Sequence, residues 1–279
     1  MSVDKLIIAV PARLDSLRLP RKVLIDIAGE PMLKRVLDRC KLVKESSAVV
    51  LCTDSKEIKN LAEEWGVKVL MTSEKCTSGT DRISSVINEL ISIAWGVKYK
   101  KEDIIDHNIL QKTVVLNVQA DQPFVSPELI KDIYKGFKNY NLKHDILTPV
   151  YSLRDKDIHD PNLVKVVVAS NGDALYFSRS AIPHIRGKPP STWSQYAKYF
   201  GHIGIYGFRA NVLAHWSEIP SSRLEELESL EQLRFLEGGF GIKTLLTNEE
   251  VSSIDTYDDL KKVIAKVSHL DGSSIIKND

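Results

Sequence analysis

The chain has 279 residues, a formal net charge of +1 at pH 7 and 43% hydrophobic residues. This length accommodates one large α/β domain or two small ones, and the near-zero charge argues against a dedicated nucleic-acid binder, which is usually much more basic. The N-terminal apolar run is short and leads into a basic loop, so we predict no signal peptide and no membrane span. Cys40, Cys52 and Cys76 are widely spaced and odd in number, which predicts unpaired thiols in a reducing, cytoplasmic compartment.

The first half of the chain alternates between predicted strands and predicted helices. Apolar runs predict strands over 5–11, 48–53, 67–71 and 113–118. Apolar residues at helical spacing predict helices over 29–43, 55–65 and 81–93. Such an alternation is typical of a mostly parallel sheet flanked by helices, which is an α/β fold.

Beyond about residue 145 the pattern changes to short strands separated by polar segments. The predicted elements are strands over 164–169, 175–178, 202–208 and 242–246, and helices over 224–236 and 257–267. Short strands in this arrangement predict a mixed or antiparallel β extension of the sheet. Because the chain contains no internal repeat and no clear linker, we expect one domain with an inserted subdomain.

A cationic loop directly follows the first predicted strand. It carries four basic residues within ten positions, namely Arg13, Arg18, Arg21 and Lys22. A loop at the carboxyl end of a strand is where α/β proteins bind phosphates, and arginine side chains suit phosphate oxygens. Neither the Gly-rich dinucleotide motif nor the P-loop motif is present, so side chains would hold the phosphates. The alternative is a solvated surface loop in which Asp15 and Asp26 pair with these cations.

Two aspartates are candidate metal ligands. Asp121 comes directly after the predicted strand 113–118, and carboxylate oxygens are ligands that Mg²⁺ prefers. Its alternative role is that of a turn residue before Pro123. Asp255 precedes the terminal helix, where the local pattern favours a helix cap formed by Asp255 or Thr256. A metal role for Asp255 therefore depends on its lying near Asp121.

Four further residues could contact a ligand. Ser78 and Gly79 begin a predicted helix, where small residues let a ring or a phosphate approach the backbone, although plain capping explains them equally well. Arg179 and His202 could bind a carboxylate on a substrate. A single histidine on a strand is more often structural, and the neighbouring aromatic residues are more often part of the core.

Nine segments taken in chain order resemble the 3-deoxy-manno-octulosonate cytidylyltransferases, also called CMP-Kdo synthetases. They lie between residues 5 and 265 and read PARLDSLRLPRK, CTDS, SGTDRI, NVQADQPF, DPNLVKVV, ALYFSRSAIP, GHIGIYGFR, RLEELESLEQLR and SIDTYDDL. The resemblance implies a nucleotide-diphospho-sugar transferase fold with an inserted β arm that forms a homodimer. It also implies transfer of CMP from CTP to 3-deoxy-D-manno-octulosonate (Kdo), with release of pyrophosphate, for lipopolysaccharide biosynthesis. The alternatives are a cytidylyltransferase for 8-amino-Kdo or another acidic sugar, and a non-catalytic nucleotide-sugar sensor.

The same resemblance implies a role for individual residues. The implied nucleotide-binding residues are Pro11, Ala12, Arg13, Ser16, Arg18, Lys22, Ser78, Gly79 and Gln119. The implied sugar-binding residues are Arg179, His202, Tyr206, Glu231 and Gln232. Mg²⁺ is the implied cofactor, bound by Asp121 and Asp255, and these two residues with Arg13 and Lys22 form the implied catalytic set. Residues 1–145 would then be the nucleotide-binding half of a single domain, and residues 146–279 the sugar-binding and dimerisation half.

The chain departs from the family pattern at three places. The family usually has glycine where this chain has Arg21, and also where it has Ala120. The methyl group of Ala120 would either crowd the nucleotide or be harmless at a negative φ. The stretch 95–112 is about ten residues longer than usual, and we expect it to form a surface loop.

Overall fold

The computed structural model describes residues 3–16, 19–139, 144–249 and 253–265. Its strands, numbered β1 to β12 in chain order, are Lys5–Ala12, Asp26–Ile27, Glu30–Pro31, Ala48–Thr53, Lys68–Met71, Thr113–Asn117, Ile146–Ser152, Lys165–Val168, Ala174–Ser178, Phe200–His202, Tyr206–Arg209 and Ile242–Thr247. Its helices, α1 to α9, are Met32–Lys41, Lys56–Glu64, Gly79–Ser84, Ile87–Trp95, His107–Lys112, Pro127–Asn139, Ala210–Ala214, Arg223–Glu228 and Gln232–Glu237. Residues 257–265 are also helical, and the last two residues of the predicted terminal helix lie outside the described residues.

One ten-stranded sheet organises the described part of the chain. Its strand order is β5-β4-β1-β6-β11-β7-β10-β8-β9, and β12 pairs with β7. Strand β1 is parallel to both β4 and β6, whereas β11 runs antiparallel to β6 and begins the antiparallel extension. The predicted fold class is confirmed, because a parallel half flanked by helices continues into a mixed half.

Strand β1 is buried on both faces, as its unbroken apolar sequence predicts. Leu6 and Ile8 point into one core with residues of α1, α2 and α6, and Ile7 points into the other with residues of α3, α4 and α7. Because β1 and β6 are parallel neighbours, the chain leaves both strands at the same edge of the sheet. This edge therefore brings the cationic loop after β1 next to Asp121 after β6.

Three elements that were predicted as continuous are interrupted. The helix predicted over 81–93 is two helices, α3 and α4, because Val86 leaves the helical region with φ of −126°. The helix predicted over 224–236 is also two, because Ser229 adopts a left-handed conformation with φ of 52° after α8. The strand predicted over 202–208 breaks at 203–205, so that β10 and β11 pair with different parts of β7.

Other differences concern the start of one predicted helix and several elements that were not predicted. Helix α1 begins at Met32 instead of residue 29, because β3 pairs with β2 immediately before it. Helices α6 and α7 and strand β7 were not predicted. The stretch 95–112 is more than the expected surface loop, since it contains α5 and buries Ile105 and Leu110. The Asn88 side chain fixes this stretch by donating hydrogen bonds to three of its main-chain carbonyls.

Candidate functional site

A cleft of about 360 Å³ lies at the edge where the chain leaves β1 and β6. This volume is in the usual range for small-molecule sites, about 300–1,000 Å³. Its lining residues are Pro11, Ala12, Arg13, Asp15, Ser16, Lys22, Val23, Cys76, Thr77, Ser78, Gly79, Arg82, Gln119, Ala120 and Asp121. All the predicted nucleotide-binding residues are among them except Arg18, which lies outside the described residues.

Lys22 joins the two aspartates that were predicted to bind metal. Its Nζ lies 2.7 Å from Oδ2 of Asp121 and 3.0 Å from Oδ1 of Asp255. All three side chains are largely withdrawn from solvent, with exposed fractions of 14%, 21% and 32% for Lys22, Asp121 and Asp255. Two carboxylates that are 134 positions apart in the sequence therefore face the same positive charge.

The segment that carries Asp255 is held against Asp121 by the main chain. Ile254 donates its backbone N–H to the carbonyl of Asp121 at 3.0 Å, and its side chain is fully buried beside Leu19 and Met32. The cap of the terminal helix is formed by Thr256, whose hydroxyl accepts a hydrogen bond from the N–H of Asp259. The carboxylate of Asp259 in turn accepts from the N–H of Thr256. Asp255 is therefore not required as the cap, and its carboxylate points to Lys22.

The surroundings of Lys22 favour its charged form. Burial lowers the pKa of Lys22, but the charges and hydrogen bonds of Asp121 and Asp255 outweigh it and the net pKa is raised. The ammonium thus remains protonated and offsets the repulsion between the two carboxylates. A site that stabilises a cation between two carboxylates is chemically suited to a divalent cation as well.

Arg13 and Arg21 belong to the same basic loop but differ in their positions. Arg13 is exposed and lines the cleft. Arg21 points away and forms an exposed ion pair with Glu57. The backbone of Arg21 has a φ of 55°, in the left-handed region that favours glycine, which explains why glycine is usual at this position. The additional charge of Arg21 therefore does not belong to the cleft.

Ala120 is buried in the lining of the cleft, and its φ is not among the positive values of the described residues. The methyl group is therefore accommodated without backbone strain.

At Gly79, close packing and not backbone conformation favours glycine. A Cβ atom there would lie 3.0 Å from Cγ of Pro11 and 3.6 Å from Nε2 of Gln119. The missing side chain lets these groups pack together at the floor of the cleft.

Arg82 also lines the cleft, although it was not predicted as a site residue. Its side chain is 3% exposed and its Nη2 lies 2.6 Å from Oδ2 of Asp54, while Nη1 donates to the hydroxyl of Thr72. A signal was present, because Arg82 and Asp54 both lie within motifs shared with the family. Their ion pair joins the end of β4 to α3 and so fixes one wall of the cleft.

Three of the predicted sugar-binding residues lie close together on the adjoining face of the sheet. The His202 and Tyr206 rings are 5.3 Å apart, and Tyr206 is 4% exposed. Burial and the negative charge of Glu231 raise the pKa of Tyr206 well above its usual value, so its hydroxyl stays protonated. Burial also raises the pKa of Glu231, against hydrogen bonds from Thr80 and Ser78 that lower it. Glu231 therefore connects the predicted sugar residues to α3 in the wall of the cleft.

Gln232 and Arg179 differ from that group. Gln232 is 2% exposed, and its Nε2 has no hydrogen-bond partner among the described residues. Arg179 donates Nε to the carbonyl of Glu228 at 2.8 Å, and its other guanidinium nitrogens face the carbonyls of Pro161 and Ser229. These contacts place Arg179 at the turn between α8 and α9, so its predicted role in sugar binding stays a prediction.

His202 is neutral at physiological pH. Burial lowers the pKa of His202 to about 3. Its Nε2 lies 2.8 Å from the Thr148 hydroxyl, which donates its own proton to the carbonyl of Ile205 at 2.8 Å. With the Thr148 proton directed to the Ile205 carbonyl, Nε2 of His202 donates to the Thr148 oxygen and Nδ1 carries the lone pair.

Acid is expected to destabilise the wild type more than a His202→Gln variant. The folded pKa of about 3 lies below the unfolded value near 6.5, so the unfolded chain binds the proton first and stability falls as the pH drops through this interval. Between pH 7 and pH 5 the free energy of unfolding should decrease by about 2 kcal/mol more for the wild type than for the variant. Urea unfolding at several pH values measures this difference, and parallel pH curves for the two proteins would contradict it.

The three cysteines are unpaired, as predicted, and all three are buried. Burial raises the pKa of Cys40 and of Cys52 to about 12, which makes both thiols poor nucleophiles.

Within the described residues, no helix is both long enough and apolar enough to cross a membrane. The same residues contain no cluster of three or more His, Cys, Asp or Glu side chains arranged to bind a metal, so Asp121 and Asp255 form a pair without a third such ligand.

Comparison with known proteins gives one consistent family. A family model described as cytidylyltransferase matches residues 7–245. The 3-deoxy-manno-octulosonate cytidylyltransferase of Chloroherpeton thalassium is 40% identical over 263 residues, which cover 94% of this chain and 97% of that protein. The enzyme of the same name from Parabacteroides distasonis is 39% identical over 266 residues, with the same coverage of both chains. A solved structure of CMP:2-keto-3-deoxy-manno-octonic acid synthetase complexed with CTP superposes with a TM-score of 0.79 at 32% identity, covering 96% of this chain and 100% of that one.

Proposed function

This chain belongs to the 3-deoxy-manno-octulosonate cytidylyltransferase family, and we propose that it transfers CMP from CTP to Kdo, yielding CMP-Kdo and pyrophosphate for lipopolysaccharide biosynthesis. The observation that carries this proposal is the convergence of Asp121 and Asp255 on Lys22 beside the cleft. The similar solved structure is a complex with CTP, which supports the choice of nucleotide.

The proposed reaction is a single displacement at the α-phosphorus of CTP. The anomeric oxygen of the sugar forms a bond to this phosphorus, the bond to the β-phosphate oxygen breaks, and pyrophosphate leaves with that electron pair. The hydroxyl proton is released to solvent. Since the sugar acid and the triphosphate are both anions, the main demand on the protein is to offset their repulsion and to align the attack.

The residues of the cleft meet this demand with positive charge on the triphosphate side. Arg13 at the mouth of the cleft and Lys22 deeper inside would bind the phosphate oxygens. Ser78 and Gly79, at the start of α3, leave space for the nucleoside against the backbone, and Gln119 offers an amide to it. No covalent nucleophile is needed, in agreement with the raised pKa of the buried thiols of Cys40 and Cys52.

Mg²⁺ is the proposed cofactor, and the donor set fits it. Asp121 and Asp255 supply carboxylate oxygens that already face a common cation, the Lys22 ammonium. When bound by these two residues together with the triphosphate, the metal would neutralise charge on the phosphates and lower the pKa of the sugar hydroxyl. Lys22 would then turn from the carboxylates to the phosphate oxygens.

The acceptor sugar is proposed to bind against the aromatic face next to the cleft. The lone pair on Nδ1 of His202 can accept a hydrogen bond from a sugar hydroxyl, and the protonated Tyr206 hydroxyl can donate one. The amide of Gln232 has a buried donor without a partner among the described residues, so a bound ligand can satisfy it.

We also propose that the protein acts in the cytoplasm as a homodimer. Three unpaired cysteines favour a reducing compartment. The extension of the sheet carries two exposed leucines, Leu175 on β9 and Leu246 on β12, with exposed fractions of 60% and 61%. A backbone bridge between Asp173, which precedes β9, and Lys243 of β12 brings these two strands together. A second copy that packs on this extension would cover exposed apolar surface.

A panel of substrates tests the proposed function. Pyrophosphate release is measured with CTP or UTP, combined with Kdo, 8-amino-Kdo or sialic acid, or with no sugar. We expect turnover that requires CTP and Mg²⁺ together and that is fastest with Kdo. Faster turnover with 8-amino-Kdo or sialic acid would replace Kdo by that sugar, and no turnover with any acidic sugar would contradict the transferase function.

A further inference from the structure

A chain of buried hydrogen bonds connects Glu231 to Gln119 through two fully buried residues, Asn117 and Thr80. Thr80 Oγ1 lies 2.8 Å from Oε1 of Glu231, and Asn117 Nδ2 lies 3.3 Å from Thr80 Oγ1. Gln119 Nε2 lies 2.8 Å from Oδ1 of Asn117. Thr80 and Asn117 are both 0% exposed, so neither can touch a ligand in the cleft directly.

The direction of every hydrogen bond in this chain follows from its Glu231 end. The Glu231 carboxyl group also receives hydrogen bonds from the Ser78 side chain and the Thr80 main chain, and the Thr80 hydroxyl donates its single proton to Oε1 of Glu231. Thr80 Oγ1 can then only accept from the amide nitrogen of Asn117, which turns the Asn117 oxygen to Gln119. Gln119 therefore directs its amide nitrogen at Asn117, and its Oε1 is the atom left to accept a hydrogen bond from a ligand.

This orientation matters because cytosine and uracil have opposite hydrogen-bonding character at ring positions 3 and 4, and the group at position 4 is exocyclic. Cytosine carries an exocyclic amino group, a donor, where uracil carries a carbonyl oxygen, an acceptor. A glutamine that is free to turn by 180° could bind either base. A glutamine held with its oxygen toward the cleft accepts from the amino group and opposes the carbonyl.

We propose that Thr80 and Asn117 are positioning residues that make the nucleotide site selective for cytosine by fixing the amide orientation of Gln119. The inference rests on the proposed function, in which the cleft binds CTP. It adds a buried determinant of specificity that lies outside the substrate-contacting residues. It also gives Glu231 a second role, since its carboxylate sets the direction of the whole chain of hydrogen bonds.

The test is a Thr80→Val variant, which has nearly the same shape as threonine but no hydroxyl. Affinities for CTP and UTP are measured by calorimetry with Mg²⁺ and without any sugar, and the kcat/KM values for both nucleotides follow with Kdo. We expect the preference for CTP over UTP to fall at least about tenfold in both measurements, because a site that loses a fixed hydrogen bond loses discrimination. Thr80→Ser keeps the hydroxyl and is expected to stay within about threefold of the wild type.

Two controls keep the outcome unambiguous. Thermal unfolding identifies a variant that fails to fold, and Thr80→Ala removes the hydroxyl a second time without the branched side chain. If a folded Thr80→Val or Thr80→Ala protein retains the wild-type preference for CTP, the positioning role is overturned. If the wild type binds CTP selectively and transfers nothing to Kdo, the proposed reaction fails while the positioning role stands.

Discussion

Replacing Asp121 by asparagine is expected to lower Kdo-dependent pyrophosphate release at least about a thousandfold, the effect of losing about 4 kcal/mol of transition-state stabilisation. Asparagine has the same shape as aspartate, so the main-chain hydrogen bond from Ile254 to the Asp121 carbonyl should persist while one charge of the proposed metal site is lost. Asp255→Asn should have a similar effect, because its carboxylate faces the same ammonium. Initial rates at saturating CTP, Kdo and Mg²⁺ measure both variants.

Asp15 offers a matched control for this experiment. It is an exposed aspartate that lines the cleft, and no ion pair between Asp15 and Lys22 is found among the described residues. Asp15→Asn changes the net charge of the cleft by the same amount as Asp121→Asn, and its rate should stay within about threefold of the wild type. If Asp121→Asn retained a tenth or more of the wild-type rate, the assignment of Asp121 as a metal ligand would be wrong.

Replacing Lys22 by methionine is expected to have two opposite effects. The value of kcat/KM for CTP should fall at least about a hundredfold, because the variant lacks the buried charge that we propose binds the triphosphate. In the nucleotide-free protein, the Lys22 ammonium lies between the two carboxylates and competes with a metal ion for them. Mn²⁺ should therefore bind more tightly to the variant than to the wild type when no nucleotide is present.

Electron paramagnetic resonance of Mn²⁺ measures the second effect without any turnover. Arg21→Gly is the matched control. It removes a cation from the same loop, but the Arg21 side chain pairs with Glu57 on the protein surface, away from the cleft. That variant should show nearly wild-type kinetics and metal binding. Equal or weaker Mn²⁺ binding by Lys22→Met would mean that Lys22 does not compete with metal for the carboxylates.

The sequence predicted the parallel half of the fold well because its signals are local. The apolar run 48–53 is too short for a typical helix and contains β-branched residues, which indicates a buried strand, and β4 has these bounds. The errors occur where tertiary contacts override a local pattern. Apolar spacing continues across 224–236, but Ser229 adopts a left-handed φ that no local pattern indicates. Helix α6 was not predicted, although its buried residues Ile130, Ile133 and Phe137 recur at helical spacing.

The same contrast holds for the site: features within a short stretch of sequence could be predicted, whereas contacts between residues far apart in the sequence could not. The basic loop and Asp121 could be predicted because each directly follows a strand. The pattern around Asp255 favoured a helix cap formed by Asp255 or Thr256. In the structure Thr256 and Asp259 form the cap, and the Asp255 carboxylate faces Lys22. The contact of Thr80 with Glu231 joins residues 151 positions apart, so no sequence window could contain it.

We propose above all that this cleft joins the α-phosphate of CTP to the sugar with the loss of pyrophosphate. Phosphorus-31 NMR of a reaction with CTP, Kdo and Mg²⁺ tests it most directly, because it follows all the phosphorus atoms at once. We predict that the α-phosphorus signal of CTP is replaced by one phosphodiester signal, with pyrophosphate formed in equal amount and only when Kdo is present. Release of pyrophosphate without a sugar phosphodiester, or an unchanged CTP spectrum from folded protein, would contradict the claim.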